Sequence, residues 1–127
     1  MKLFYAFLIA AVLFLAIDSI WLKTMNKLYR KHLGALLRPK PNLVAAGVFY
    51  LIYMLGLTAL VFNPAFAANS MLVAAIHGVI FGIVAYGTYD LTNQATLKNW
   101  PTFITVVDVA WGGFLTGLVA TITFWVL

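Results

Sequence analysis

Apolar residues run through this chain in four blocks, separated by short polar stretches. Leu3 to about Leu22 is apolar except for Asp18 and Ser19. At 1.5 Å per residue, such a block makes a helix of about 30 Å, the thickness of a bilayer's hydrocarbon core. Leu43 to Phe62 carries no charge, Met71 to Leu91 carries only Asp90, and Pro101 to about Trp125 carries only Asp108. The pattern predicts an all-α integral membrane protein with four transmembrane helices. Residues 1–127 form a single domain in this reading, because no polar block is long enough to fold in water by itself.

The connections have their own signatures. Between Lys23 and Leu37, the apolar residues Met25, Leu28, Tyr29, Leu33 and Leu36 recur at helical spacing, while Asn26, Lys27, Arg30 and Lys31 fill the opposite side. This predicts a short basic amphipathic helix lying in the interface between the first two spans, stopped by Pro39 and Pro41. Asn63-Pro64 is expected to end the second span, and Asn69-Ser70 to supply a turn and then a helix N-cap. Pro101 suits the first helical position of the fourth span. Ala74, Gly78 and Gly82 on the third span, with Gly113 and Gly117 on the fourth, put small residues on one face of each. Backbones can then approach closely.

Charge orients the picture. Six of the eight basic residues fall between Lys23 and Lys40, Lys98 lies between spans three and four, and the connection between spans two and three has none. The positive-inside rule then puts the basic side in the cytoplasm and both termini outside it. Lys23, Lys27, Arg30 and Lys31 are expected to meet anionic headgroups, so the net charge of +5 reflects topology and no nucleic-acid partner is implied. The apolar run after Lys2 is longer than a secretory h-region and lacks an Ala-x-Ala cleavage pattern, so it is read as a mature helix. The absence of cysteine excludes disulfides, thiolate metal sites and cysteine nucleophiles.

The three acids are the candidate chemistry. On this topology Asp18 lies about 6 Å from the cytoplasmic end of its span, Asp90 lies at that end, and Asp108 is roughly 10 Å in. Tyr50 is similarly deep on the second span, with Tyr53 one turn further. Tyr86, Asp90 and Asn93, spaced i, i+4 and i+7, share a face of the third. A carboxylate in hydrocarbon costs about 2.5 to 3.5 kcal/mol on insertion scales, so it should face the bundle and find partners. Phenols of Tyr50, Tyr53, Tyr86 and Tyr89, the Asn93 amide and the ammonium of Lys98 or Lys23 are the donors within reach. One polar cluster is therefore expected, and polar groups at helix ends also serve simply to tie neighbouring helices together. Asp18-x-x-Trp21 and Asp108-x-x-Trp111 share a spacing, but depth counting puts Trp21 at the surface and Trp111 near mid-bilayer, where core packing is its expected role. His77, about 20 Å from Asp90 along the helix, is too far to share a metal with the acids and is expected at a helix contact. No phosphate loop, dinucleotide fingerprint or nucleophile motif occurs, and no cofactor or metal is expected.

The pieces Asp18-x-x-Trp21-Leu22, Phe49-Tyr50-x-x-Tyr53-x-x-Gly56-Leu57, the run from Tyr86-Gly87-Thr88-Tyr89-Asp90 through Lys98-x-Trp100-Pro101, and Asp108-x-x-Trp111-Gly112 resemble a small bacterial membrane-protein family known as domain of unknown function 2177. The resemblance implies a four-helix inner-membrane protein and supplies no activity. Two functions fit the residues. One is a non-enzymatic protein, a homo-oligomer with a dimer favoured, whose cluster binds or moves a small polar ligand, a lipid headgroup or a proton. The other is a lipid-active membrane enzyme, or an accessory subunit of one, with Asp90 or Asp108 as general base.

Overall fold

The computed structural model describes all of residues 1–127. It contains helices and no strands: α1 (Lys2–Leu33), a short 3₁₀ turn (Gly34–Leu36), α2 (Leu43–Leu57), a π-helical stretch (Thr58–Phe62), α3 (Asn63–Ala68), α4 (Met71–Thr96) and α5 (Thr102–Val126). Four continuous rods are long and apolar enough to cross a membrane, the second running through α2, the π stretch and α3. Leu43, Val44, Val12 and Ile52 are more than 60% exposed, which a bilayer tolerates and water does not.

Two departures from the expected boundaries have local causes. The basic amphipathic segment is not a separate interfacial helix: it continues α1 without a break. No proline or glycine lies between Lys23 and Leu33 to interrupt the backbone, and the 32 residues extend about 48 Å, well beyond one hydrocarbon thickness. Likewise Asn63-Pro64 does not end the second span. Pro64 removes the N–H that would meet the Leu60 carbonyl, and the chain adapts by widening into the π stretch just before it. His77 on α4 makes the expected helix contact at this point, its Nδ1 3.4 Å from the Leu60 carbonyl oxygen, to which the Nδ1–H tautomer can donate. Asn69 in the left-handed region (φ 47°) then turns the chain, and Ser70 caps α4 by accepting from the Val73 N–H at 3.1 Å. The third span continues past Leu91 to Thr96, and Pro101 stands at the cap of α5 rather than in its first turn.

The fourth span is the centre of the bundle, with 50% of its apolar window buried against 22% in each of the others. Rows of side chains four apart on α1 and α4 pack against it. On α1 the row is Ala6, Ala10, Phe14 and Asp18, and on α4 it is Ala74, Gly78, Gly82, Tyr86 and Asp90. Both rows run from small residues through an aromatic to a carboxylate, two small residues on α1 and three on α4, along helices that run in the same direction. The small residues let α5 approach; a Cβ on Gly78 would stand 2.9 Å from Ala120 Cβ, and one on Gly82 would strike the Gly112 carbonyl. Partners descend along α5 as numbers rise on α1, from Asp18–Trp111 and Tyr29–Asp108 to His32–Phe103, so the two helices are antiparallel. Asp18 and Asp90 are thereby delivered to the same end of the bundle, one on each flank of the helix that carries Asp108. Here it is called the basic end.

Candidate functional site

Asp18 is the better satisfied of the two flanking acids. Its Oδ2 accepts from the Tyr50 hydroxyl at 3.0 Å and its Oδ1 from Trp111 Nε1 at 3.2 Å. The carboxylate thus joins α1, α2 and α5 while remaining 7% exposed. Asp108 accepts from the Tyr29 hydroxyl at 2.9 Å, and Tyr29 in turn accepts from Trp21 Nε1 at 3.0 Å. These donors are phenols and indoles, neutral groups that suit a dry helix interface.

The shared Asp-x-x-Trp spacing proves to be an interlock. Trp21 and Trp111 stack with centroids 4.2 Å apart and planes 6° from parallel. Depth counting along separate helices puts them at different levels; the structure puts them at one. Antiparallel α1 and α5 each offer a carboxylate and, three residues on, an indole. The indole of α5 reaches the acid of α1 directly, while that of α1 reaches the acid of α5 through Tyr29. Trp111 is therefore a hydrogen-bonding member of the cluster and not only a packing residue.

Asp90 is different. It is fully buried, and neither carboxyl oxygen has a hydrogen-bond partner. Its neighbour is the Asp108 carboxyl, close enough for one proton to be shared between the two acids, and no donor from any other residue reaches it. A buried polar group without a partner costs about 1 to 3 kcal/mol, and more when charged. Such a group at the base of a cavity is where an incoming donor gains most.

That cavity lies at the basic end and has a volume of about 620 Å³. Its walls are the lower part of α1, the Leu36–Pro41 connection, and the adjoining ends of α4 and α5; all three acids line it, together with Tyr29, Tyr86, Tyr89, Trp21, Trp100 and Trp111. Arg30 and Arg38 also line it, and both are exposed residues at its rim. A second cavity of about 340 Å³ is lined by Phe49, Ala85, Tyr86, Tyr89 and Asp108.

The remaining expected members fall outside the polar cavity. Tyr53 lies one turn deeper, where its hydroxyl pairs with Thr116 Oγ1 at 2.7 Å. Tyr50 serves Asp18 from behind the lining. Asn93 is half-buried, Lys98 is exposed, and neither lines the cavity. Trp21, Asn26, Tyr29, Arg38 and Trp100 line the cavity, although residue counting along the spans does not place them with the acids. A signal for Tyr29 was present: Asp18, Leu22, Met25 and Tyr29 follow i, i+4, i+7, i+11 and form one stripe once α1 is read as uninterrupted.

No curated protein and no solved structure matches this chain. A family model described as a predicted membrane protein, DUF2177, matches residues 3–125. Nearly the whole chain is covered, and the residues that build the cavity all fall inside the match. The chain belongs to the DUF2177 family of predicted membrane proteins.

Proposed function

We propose that this protein is a non-enzymatic membrane protein that binds a small organic cation in the cavity at its basic end. The observation that carries the reading is Asp90, buried, paired with another acid, Asp108, and reached by no donor from any other residue. Three supports accompany it. The volume lies within the range of small-molecule sites, about 300 to 1,000 Å³. Three carboxyl groups and two guanidinium groups are among the lining residues, so the cavity offers acceptors for an ammonium as well as donors. Aromatic faces supply the attraction that organic cations find in ring quadrupoles. Lys23, Lys27, Arg30 and Lys31 lie in the cytoplasmic headgroup layer in this reading, so the cavity faces the cytoplasm and both termini lie outside.

Three of the four tryptophans line the cavity, so the protein carries its own reporter. Titrating purified protein with ethanolamine is expected to give a saturable change in tryptophan fluorescence, and Asp90→Asn is expected to abolish it while the variant still unfolds cooperatively. An unchanged signal in the wild type, or an equal response in the variant, overturns the proposal. Orientation is checked separately on the cysteine-free background. A cysteine placed at Lys27 should react with a membrane-impermeant thiol reagent only after cells are opened, and one at Asn69 should react in intact cells; the reverse pattern rejects the cytoplasmic assignment.

A further inference from the structure

The two cavities share a wall. Tyr86, Tyr89 and Asp108 line both, yet one holds carboxylates and arginines while the other is walled by Phe49, Ala85 and tyrosine rings. The smaller cavity lies between the second span and the α4–α5 pair. Its origin is visible in the packing of α2, which meets α4 through Tyr53 against Phe81 and Tyr86 and through Gly56 against Phe81. Toward the basic end α2 departs from its neighbours: Leu43 is 76% exposed and Val44 78%. An apolar recess between α2 and α4 therefore lies directly against Asp108.

Resting on the cation reading above, we infer that the occupant is a membrane phospholipid with a primary-amine headgroup. Its ammonium sits at Asp90 and Asp108, its phosphate at Arg30 and Arg38, and one acyl chain in the apolar cleft beside Phe49 and Ala85. Both signs of charge in one cavity suit a zwitterion, with Asp90 buried, Asp108 half-buried and the arginines exposed at the rim. The two orphan oxygens of Asp90 decide between amine types. They need N–H donors; a primary ammonium offers three, whereas a quaternary ammonium offers none. A soluble amine would use the polar cavity alone and leave the adjoining cleft unexplained. A lipid fills both, arriving sideways from the leaflet without leaving the membrane.

Native mass spectrometry of the full chain, released from detergent after incubation with equal amounts of phosphatidylethanolamine, phosphatidylcholine and phosphatidylglycerol, tests this. The expected result is preferential retention of phosphatidylethanolamine by roughly tenfold over either competitor, the size of one charge-assisted hydrogen-bond set. Ala85→Phe, which fills the cleft, should remove that preference while leaving the fluorescence response to ethanolamine intact; Ala85→Leu is a second cleft variant should the first fail to fold. Arg30→Ala with Arg38→Ala should weaken lipid retention and spare ethanolamine. If ethanolamine binds but the lipids are retained equally, or if the cleft variants keep the preference, the lipid inference falls and the cation site stands. Preference for phosphatidylglycerol also overturns it and assigns the lipid to the basic surface of α1. If neither ethanolamine nor any lipid depends on Asp90, both proposals fall.

Discussion

Gly82→Ala is expected to destabilise the bundle by at least about 3 kcal/mol, the upper end of the usual cost of overpacking. A Cβ at this position would meet the Gly112 carbonyl carbon at 2.7 Å and Thr116 Oγ1 at 2.8 Å, and would overlap the Gly112 oxygen. Backbone cannot rotate aside as a side chain can, so α4 and α5 must separate. Folded proteins hold only about 5 to 15 kcal/mol in reserve, and the loss should appear as a large drop in the denaturation midpoint in detergent. Gly56→Ala meets only the outer edge of the Phe81 ring, at 2.9 Å, and should cost less. Gly47→Ala meets nothing within 4 Å and should be neutral or gain up to about 1 kcal/mol from helix propensity. Equal midpoints for the three variants would show that close approach along Gly78 and Gly82 does not hold the helices together. The site shares in the outcome, because the α4–α5 contact is what brings Asp90 beside Asp108.

The second large effect is a difference in sign between two identical substitutions. Asp90→Asn should raise stability by about 1 to 3 kcal/mol, since it replaces one of two buried carboxyl oxygens, and any charge they carry, with an amide nitrogen that can donate to Asp108. Asp18→Asn should lower stability by a similar amount, because Asp18 accepts from Tyr50 and Trp111 on two different helices and an amide nitrogen can accept from neither. Thermal unfolding of the two variants beside wild type reads both signs at once. Two decreases of equal size would mean that Asp90 has a donor in the resting protein and is not held in reserve for a ligand. A stabilised Asp90→Asn that no longer responds to ethanolamine would display the exchange of stability for function that marks binding sites.

Much of the architecture is a local matter, and local chemistry is what a sequence records. Twenty apolar residues in a row specify a span whatever else surrounds them, and the four spans lie where hydropathy puts them. The small-residue rows on α4 and α5 follow from four-residue spacing and do bring those helices together. That the acids belong to one level also follows from counting residues along each span. By contrast, the end of α1 was not legible, because long basic side chains can reach water from a continuing helix as readily as from one lying in the interface. A proline that ends most helices is tolerated inside the second span, where a π stretch precedes it and His77 on another helix approaches the Leu60 carbonyl.

The pairing within the cluster belongs to the tertiary structure alone. Sequence determined that Asp18, Asp90 and Asp108 would turn inward at one end, since a carboxylate facing lipid is too costly. It did not determine which of them would be satisfied. That depended on the rotation of α1 and α5 about their axes, which stacked Trp21 on Trp111 and gave Asp18 and Asp108 their donors. The same rotation left Asp90 facing only another acid, at the base of a cavity. Helix rotation is fixed by contacts among residues as far apart as 18 and 111, and no periodicity within a single segment encodes it.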